Sequence, residues 1–408
     1  MIAPQHSVDG FAVVGGELTV GGIPLSLLAH RVGQTPFFAY DRALLRARAE
    51  QLRAVLPHGI SLHYAIKANP MPALVGLMAG LVDGLDVASG AELRTALDAG
   101  MDPRDISFAG PGKSEAELAQ AVAAGILVNV ESRREIGLLA DISARLQRPA
   151  RVAVRVNPDY ELKSSGMKMG GGPKQFGIDA EQVPAVLADI GRLGLAFEGF
   201  HIFSGSQNLR VEAICDAQDK GLALAVQLAR HAPSPVATLN LGGGFGIPYF
   251  PGDRSLDLAP IGSNLARVVE SAKAKLPGAE LVIELGRYLV GEAGIYVCRV
   301  IERKESRGEV FLVVNGGLHH HLAASGNFGQ VIRKNYPVAI GNRMNATRRE
   351  TASVVGPLCT PLDLLADRME MAVAEPDDLV VVFQSGAYGL TASPHRFLSH
   401  PAALEVLV

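Results

Sequence analysis

Lys67 ends the short apolar run of "LHYAIKANP" and is followed at once by the breaker Asn69-Pro70. Other chemically capable residues stand at the same kind of boundary, where an apolar run gives out. They are Asp86 in "GLDVASGAEL", Arg155 in "VRVNP", His201 and Ser206 in "GFHIFSGSQ", Gly242 to Gly244 in "NLGGGFG", and Glu284 and Arg287 in "IELGRY". A lysine at a strand end in partly apolar surroundings loses solvation of its ammonium, which favours the neutral, nucleophilic amine that forms Schiff bases. The competing reading is an ammonium that snorkels to water from the strand tip. Three glycines in a row let backbone N–H groups approach a phosphate, or simply make a tight turn. Arg287 offers a charged donor to such a phosphate and Glu284 a carboxylate to a ring nitrogen; each is equally readable as half of a salt bridge. Amine, glycine loop and carboxylate together are what pyridoxal phosphate needs.

The elements that would position these residues alternate along the chain. From about residue 35 to 280, apolar runs ("PFFAYD", "SLHYAIK", "GLDVAS", "DISFAG", "ILVNVES", "ARVAVRVNP", "FEGFHIFSG", "TLNLGGG", "LVIELG") are separated by amphipathic segments such as "EAELAQAVAAG". That rhythm predicts β/α units, and their number predicts a (β/α)₈ TIM barrel over residues 35–280. Barrel strands are buried on both faces, which accounts for their weak alternation. Barrels of this kind place chemistry at the C-terminal ends of their strands. Beyond about residue 285 the runs "GIYVCRVIERKES", "EVFLVVNGG" and "DLVVVFQSGAY" have no regular helices between them. They predict a β-sandwich domain made of residues 281–408 and 1–34, the latter supplying the hairpin-like "FAVVGGELTVGGIPL".

The composition narrows the function class. Of 408 residues, 48% are apolar and 19% charged, enough for a large core. A net charge of −3 gives no reason to expect nucleic acid or an anionic membrane as partner. No apolar run reaches the roughly 18 residues of a spanning helix. "MIAPQHSVDG" lacks the blocks of a signal peptide, and Cys215, Cys298 and Cys359 are far apart without metal-type spacing, so a reduced, cytoplasmic enzyme is expected.

Ten ordered blocks ("YAIKAN", "DVASGAEL", "GPGKSEAEL", "RVNP", "QFGI", "HIFSGSQ", "LNLGGGFG", "IELGRYLVGEAG", "GPLCTPLD", "SGAYG") make the chain, from about residue 35 to 400, resemble the fold-type-III pyridoxal-phosphate decarboxylases. That family includes the diaminopimelate, ornithine, lysine and arginine decarboxylases. The resemblance implies a barrel that carries the cofactor, a β-sandwich, and a homodimer with shared active sites. It makes Lys67 the Schiff-base lysine and Glu284 the partner of the pyridine nitrogen. Asp86 and Arg155 become supporting charges, and Ser206, Gly243, Gly244, Arg287 and Tyr388 the phosphate-binding positions. Cys359 becomes the residue that reaches into the neighbour's site and helps protonate the product.

The chain also departs from the family pattern. Phe203 stands where a histidine usually stacks on the cofactor, with His201 two residues earlier; Leu285 replaces the usual proline. Thr360 stands where diaminopimelate decarboxylases carry a glutamate for the distal ammonium of the substrate, although Asp363 is kept. Thr360, Asp363 and Arg333 of "VIRKNYP" are the candidate substrate contacts, Arg333 being equally readable as a surface arginine. The run His319, His320, His321 suggests metal, but strand alternation would turn these side chains to opposite faces, so no metal site is expected. "GGGPKQ" reads as a mobile loop; its own Lys174 and its neighbour Lys168 meet a substrate or are merely solvated. "GMKMGGGPKQFG", with "GGLHHH" and "GPLCTPLD", is similar to a specialised branch. That branch contains the butirosin-pathway enzyme acting on carrier-bound glutamate and decarboxylases of exosortase and exopolysaccharide loci. The expected activity is thus α-decarboxylation of an amino acid or a carrier-tethered derivative. The alternatives are a diaminopimelate, lysine or ornithine decarboxylase, an amino-acid racemase, or a non-catalytic pyridoxal-phosphate-binding regulator. "GPLCTPLD" speaks against the racemase, and intact Lys67, Glu284, Arg287 and Cys359 against the regulator.

Overall fold

The computed structural model describes residues 10–160, 167–168, 170–328, 330 and 333–408. The chain forms two compact units: residues 49–247 with 255–288, and residues up to 48 with 248–254 and 289–408.

The first unit is a closed barrel of eight parallel strands: β1 (Ile60–Ala65), β2 (Gly84–Val87), β3 (Ile106–Phe108), β4 (Leu127–Val130), β5 (Arg151–Asn157), β6 (Ala196–His201), β7 (Thr238–Gly243) and β8 (Glu280–Leu285). Neighbours pair in sequence order, and β8 closes on β1 with Leu281 opposite Ile60 and Leu285 opposite Tyr64. Every residue of β2 and all but the first of β5 are buried, as expected of strands covered on both faces. Helix starts follow the strand ends, and three of them are capped by serines. Ser89 accepts from Glu92 N–H, Ser132 accepts from Glu135 N–H, and Ser114 forms a reciprocal capping box with Glu117. Each cap fixes a β-to-α loop, and each helix turns its positive end toward the strand ends where the candidate residues stand.

In the second unit an eight-stranded sheet runs Val338–Ile340, Leu379–Val382, Gly294–Ser306, Glu309–Val314, Arg349–Val355, Leu364–Ala372, with two further strands off this path. One of these is Phe37–Tyr40, expected among the barrel strands. It lies instead between Gly294–Val297, to which it is antiparallel, and Leu404–Leu407, to which it is parallel. All four of its residues are buried, so its apolar run is indistinguishable from a barrel strand in composition; only its partners separate the two. The N-terminal runs form a separate three-stranded sheet, Val13–Val14, Glu17–Val20 and Ile23–Pro24. It joins the unit through Leu18 N–H to Gly341 O (2.8 Å) and through a core of Leu18, Val20, Leu25, Phe37, Val297 and Val381. Among the described residues, no helix is long and apolar enough to cross a membrane.

Candidate active site

Lys67 sits in a one-turn 3₁₀ helix (Ile66–Ala68) directly after β1. Ile66 and Ala68 are buried on either side of it, and Tyr64 Oη donates to Asn69 O (2.9 Å) across the turn. The backbone is thereby held while the lysine side chain stays 44% exposed. Its Nζ lies 3.6 Å from Glu284 Oε1 and 5.7 Å from the ring centre of Phe203. Glu284, at the end of β8, is buried, and its other oxygen lies 3.2 Å from Nε2 of the buried His201 on β6. Burial alone would push the Glu284 carboxyl up. The attraction of Lys67, then of His201 and Arg155, outweighs it and holds the group well below the usual carboxylate range.

Asp86 on β2 is tied into the barrel interior. Ser107 Oγ donates to its Oδ1, Asn129 Nδ2 donates to Ser107 Oγ (3.1 Å), and His63 Nδ1–H donates to the same Asp86 oxygen (3.3 Å). Burial works to lower the pKa of His63, but Asp86 reverses this and the net shift is upward. Arg155 on β5 pairs with Glu131 Oε1 (2.8 Å) and lies over the ring of Phe176. Glu131 also accepts from Gly110 N–H (2.6 Å) and Gly177 N–H (2.9 Å). Burial would raise its pKa; Arg155 and Lys113 bring it below the ordinary value. Lys113, itself buried, bonds both oxygens of Glu135 (3.0 and 3.1 Å). Glu131, Lys113, Glu135, His63, Ser107 and Asn129 were not singled out in sequence. The strand-end position of "NVES" was the one available signal for Glu131.

This charge group also anchors the segment read as a mobile loop. Asn157 accepts from Gly171 N–H (3.1 Å) and donates to Gly172 O (3.0 Å), while Glu131 holds Gly177. Lys174 is half-buried on that segment; the side chain of Lys168 lies outside the described residues.

The glycine run ends β7 and continues into Gly244, and its glycines are required by packing. A Cβ on Gly243 would overlap Glu284 O, and one on Gly244, whose φ is +69°, would overlap Gly205 O. Asn208 N–H donates to Gly244 O (2.9 Å) and Gly246 N–H to Asn208 O (2.8 Å), so the loop carrying Ser206 and the glycine loop are stitched together. Arg287 opens a short helix after β8. In this unit the strand ends thus gather an amine, a buried carboxylate, a glycine loop and an arginine. Among the described residues Asp86 Oδ2 and His201 Nδ1 are also buried without a hydrogen-bond partner. Orphaned polar atoms beside such a donor set fit a polar, phosphorylated aldehyde cofactor.

The second unit holds the remaining candidates. Cys359 is exposed, Thr360 Oγ1 accepts from Leu362 N–H (3.4 Å), and Tyr388 has a left-handed backbone, φ +53°. Arg333 does not extend freely: it donates to Ser325 O (2.9 Å) and Leu364 O (2.6 Å). Both oxygens of Asp363 accept from backbone N–H groups, of Leu318 (2.6 Å) and Leu358 (2.8 Å). His319 to His321 form a turn rather than a strand, so alternation is not what separates them. His320 Nε2–H donates to Pro401 O (2.7 Å) and its Nδ1 accepts from Tyr296 Oη (3.0 Å). His321 Nε2–H donates to Ser385 Oγ (2.9 Å). Burial pushes His319 and His321 down to about 3 and His320 to about 4, so all three are neutral. Among the described residues, no three His, Cys, Asp or Glu side chains are grouped to hold a metal.

The family profile described as "Pyridoxal-dependent decarboxylase, pyridoxal binding domain" matches residues 42–291. The chain belongs to the pyridoxal-dependent decarboxylases. An L-glutamyl-[BtrI acyl-carrier protein] decarboxylase of Niallia circulans is 39% identical to this decarboxylase over 92% of its chain and 89% of the relative. A diaminopimelate decarboxylase of Aquifex aeolicus is 34% identical over 96% and 91%. In fold, the crystal structure of the diaminopimelate decarboxylase of M. jannaschii superposes with a TM-score of 0.88 at 24% identity, over 98% of this chain and 92% of that one. The decarboxylase is therefore a carboxy-lyase that uses pyridoxal phosphate to remove CO₂ from an amino acid or amino-acid derivative.

Proposed function

We propose that this decarboxylase acts on an amino acid whose distal end is tethered to an acyl carrier protein, as the L-glutamyl group of the Niallia circulans relative is, and that it works as a cytoplasmic homodimer. The observation that carries the substrate reading is the state of Asp363. With Thr360 in place of glutamate, Asp363 is the remaining acid of "GPLCTPLD" that could receive a distal ammonium. Its two oxygens are committed to Leu318 and Leu358 N–H. That argues for a substrate whose far end carries no positive charge.

In this reading Lys67 would hold the cofactor through its aldehyde, and Glu284, kept ionised by its neighbours, would accept from its ring nitrogen. Gly243, Gly244, Ser206, Arg287 and Tyr388 bind the phosphate. Phe203 and His201 would line the ring, and Phe203 has no proton to share with it. Asp86 and Arg155 act through their partners, fixing the barrel interior and the 170–177 loop. Cys359 donates the proton that replaces CO₂ in the neighbouring subunit's site. When bound, pyridoxal phosphate supplies the electron sink that takes up the pair released with CO₂.

The test compares kcat/KM for an L-glutamyl-carrier protein, diaminopimelate, lysine and ornithine, in the native enzyme and in Thr360→Glu. A charge-assisted hydrogen bond contributes about 1.5–3 kcal/mol, so Thr360→Glu should raise efficiency on diaminopimelate by roughly ten- to a hundredfold. A native enzyme that already prefers diaminopimelate overturns the substrate reading.

A further inference from the structure

We infer that Asp363 is a positioning residue for Cys359. Its buried carboxylate clamps the loop that presents the thiol against the histidine turn. The inference rests on the reading of Cys359 as proton donor.

The carboxylate is 3% exposed and takes one backbone N–H from each of two loops. Oδ1 takes Leu318 N–H of the segment Gly316–His321, and Oδ2 takes Leu358 N–H, the residue before Cys359. The backbone of Asp363 closes the same loop. Gly356 N–H donates to its carbonyl (3.0 Å), its own N–H donates to Thr360 O (3.3 Å), and Thr360 N–H donates to Leu358 O (2.7 Å). Both neighbours of Cys359 are therefore fixed by bonds that converge on Asp363, while Cys359 itself stays exposed. The glycines around it belong to the same device. A Cβ on Gly317 would overlap Oδ1 and one on Gly356 would overlap Oδ2, so glycine at each position is what lets the carboxylate enter between the loops.

The histidine turn is the fixed side of the clamp. His320 ties it to Pro401 and Tyr296, His321 ties it to Ser385, and Leu322 N–H donates to Ser393 Oγ (3.0 Å). The hydrogen bonds of His320 and His321 thus anchor the turn. Among the described residues no lysine or arginine pairs with Asp363; its charge is met by the Leu318 and Leu358 N–H dipoles, with a smaller contribution from His400. Burial drives its pKa up against the pull of those two N–H groups. Buried and turned to two backbone N–H groups, this acid offers little surface to a substrate. It sets where the thiol stands.

An asparagine keeps the shape but replaces one acceptor by an NH₂ that faces an N–H donor. Asp363→Asn should thus release one of the two loops. The readout is alkylation of Cys359 by iodoacetamide, followed by peptide mass spectrometry. Cys215, half-buried on a barrel helix, serves as internal reference in the same sample. The expected result is a change in the Cys359 rate of about threefold or more at an unchanged Cys215 rate. With it, kcat should fall roughly tenfold, about the weight of one charge-assisted bond, while KM stays within about twofold. Gly317→Ala, which displaces the carboxylate without altering its charge, should reproduce both effects. Unchanged Cys359 alkylation in a folded variant overturns the inference, as does a rise in KM at constant kcat, which would make Asp363 a substrate contact. If neither variant folds, hydrogen exchange of the native enzyme decides: the Leu318 and Leu358 amides must be protected together, and an unprotected Leu358 amide overturns the clamp. Cys359→Ser separates the two levels. Full activity in that variant refutes the proton-donor reading, and the alkylation and exchange results still judge the clamp.

Discussion

Gly244→Ala probes the cofactor cradle at the point where the geometry is tightest. The added methyl would overlap Gly205 O and come within 3.0 Å of the Gly205 carbonyl carbon, and the residue must hold φ +69°. Backbone forms both sides of the clash, so no side chain can swing away to relieve it. Overpacking of this kind costs about 1–3 kcal/mol and the left-handed backbone about 1–2 kcal/mol, against about 0.4–1 kcal/mol regained from a stiffer unfolded chain. The balance is roughly 1–4.6 kcal/mol. If it is relieved by the glycine loop parting from the Ser206 loop, the phosphate site opens, and affinity for pyridoxal phosphate should fall by roughly 5- to 2,000-fold. The assay titrates the apo-protein with pyridoxal phosphate by absorbance. A second titration with pyridoxal, which lacks the phosphate, should change far less. Gly252→Ala is the control: φ there is +91°, but nothing lies within 4 Å, so it carries the strain without the clash and should bind the cofactor normally. A folded Gly244→Ala protein that binds pyridoxal phosphate within twofold of the native affinity would refute the assignment of this loop to the phosphate.

Borohydride reduction of the holoenzyme should mark the peptide containing Lys67, and Lys67→Ala should lose the mark together with activity; a labelled lysine elsewhere contradicts the assignment. Mixing Lys67→Ala with Cys359→Ala protein should recover part of the activity, because a mixed dimer retains one site with both residues intact. No recovery, once subunit exchange is shown independently, counts against sites shared between subunits.

The strand-end residues were legible because β/α units announce themselves: an apolar run stops, a polar residue follows, and an amphipathic helical segment begins. Lys67, Asp86, Arg155, His201 and Glu284 all stand at such stops, and the barrel delivers them to its C-terminal rim. What went unread are partnerships. Glu135 looks in sequence like the third residue of a capping pattern, Ser132 to Glu135, which places it in solvent. In the fold it is buried and bonded to Lys113, a residue that "GPGKSEAEL" presents as another surface charge. In sequence Asp363 looks free for a substrate, since nothing local reveals which N–H groups will meet it; Leu318 lies 45 residues away. The histidine turn was reasoned about as a strand because the preceding run, Glu309–Val314, is one and no breaker other than Gly316-Gly317 marks its end. Phe37–Tyr40 shows the same limit from the other side, since burial dictates composition and leaves the choice of partner unwritten.

That strand also bears on how the protein comes to be folded. Phe37–Tyr40 is flanked by Gly294–Val297 on one side and Leu404–Leu407 on the other, with Tyr40 Oη donating to Glu405 (2.6 Å). Four of the most buried residues of the second unit therefore leave the ribosome early and wait for neighbours some 250 and 360 positions downstream. At a synthesis rate of about 5–20 residues per second that delay runs from roughly 13 s to over a minute. During it the whole barrel segment emerges, and its sequential strand pairing needs nothing from this strand. The exposed "PFFAYD" edge is a sticky, unpaired template for as long as it waits, so aggregation during expression should be governed there rather than in the barrel. The strand Leu404–Leu407 then acts as a latch: arriving long after Phe37–Tyr40, it closes the flank of that strand that Gly294–Val297 leaves open.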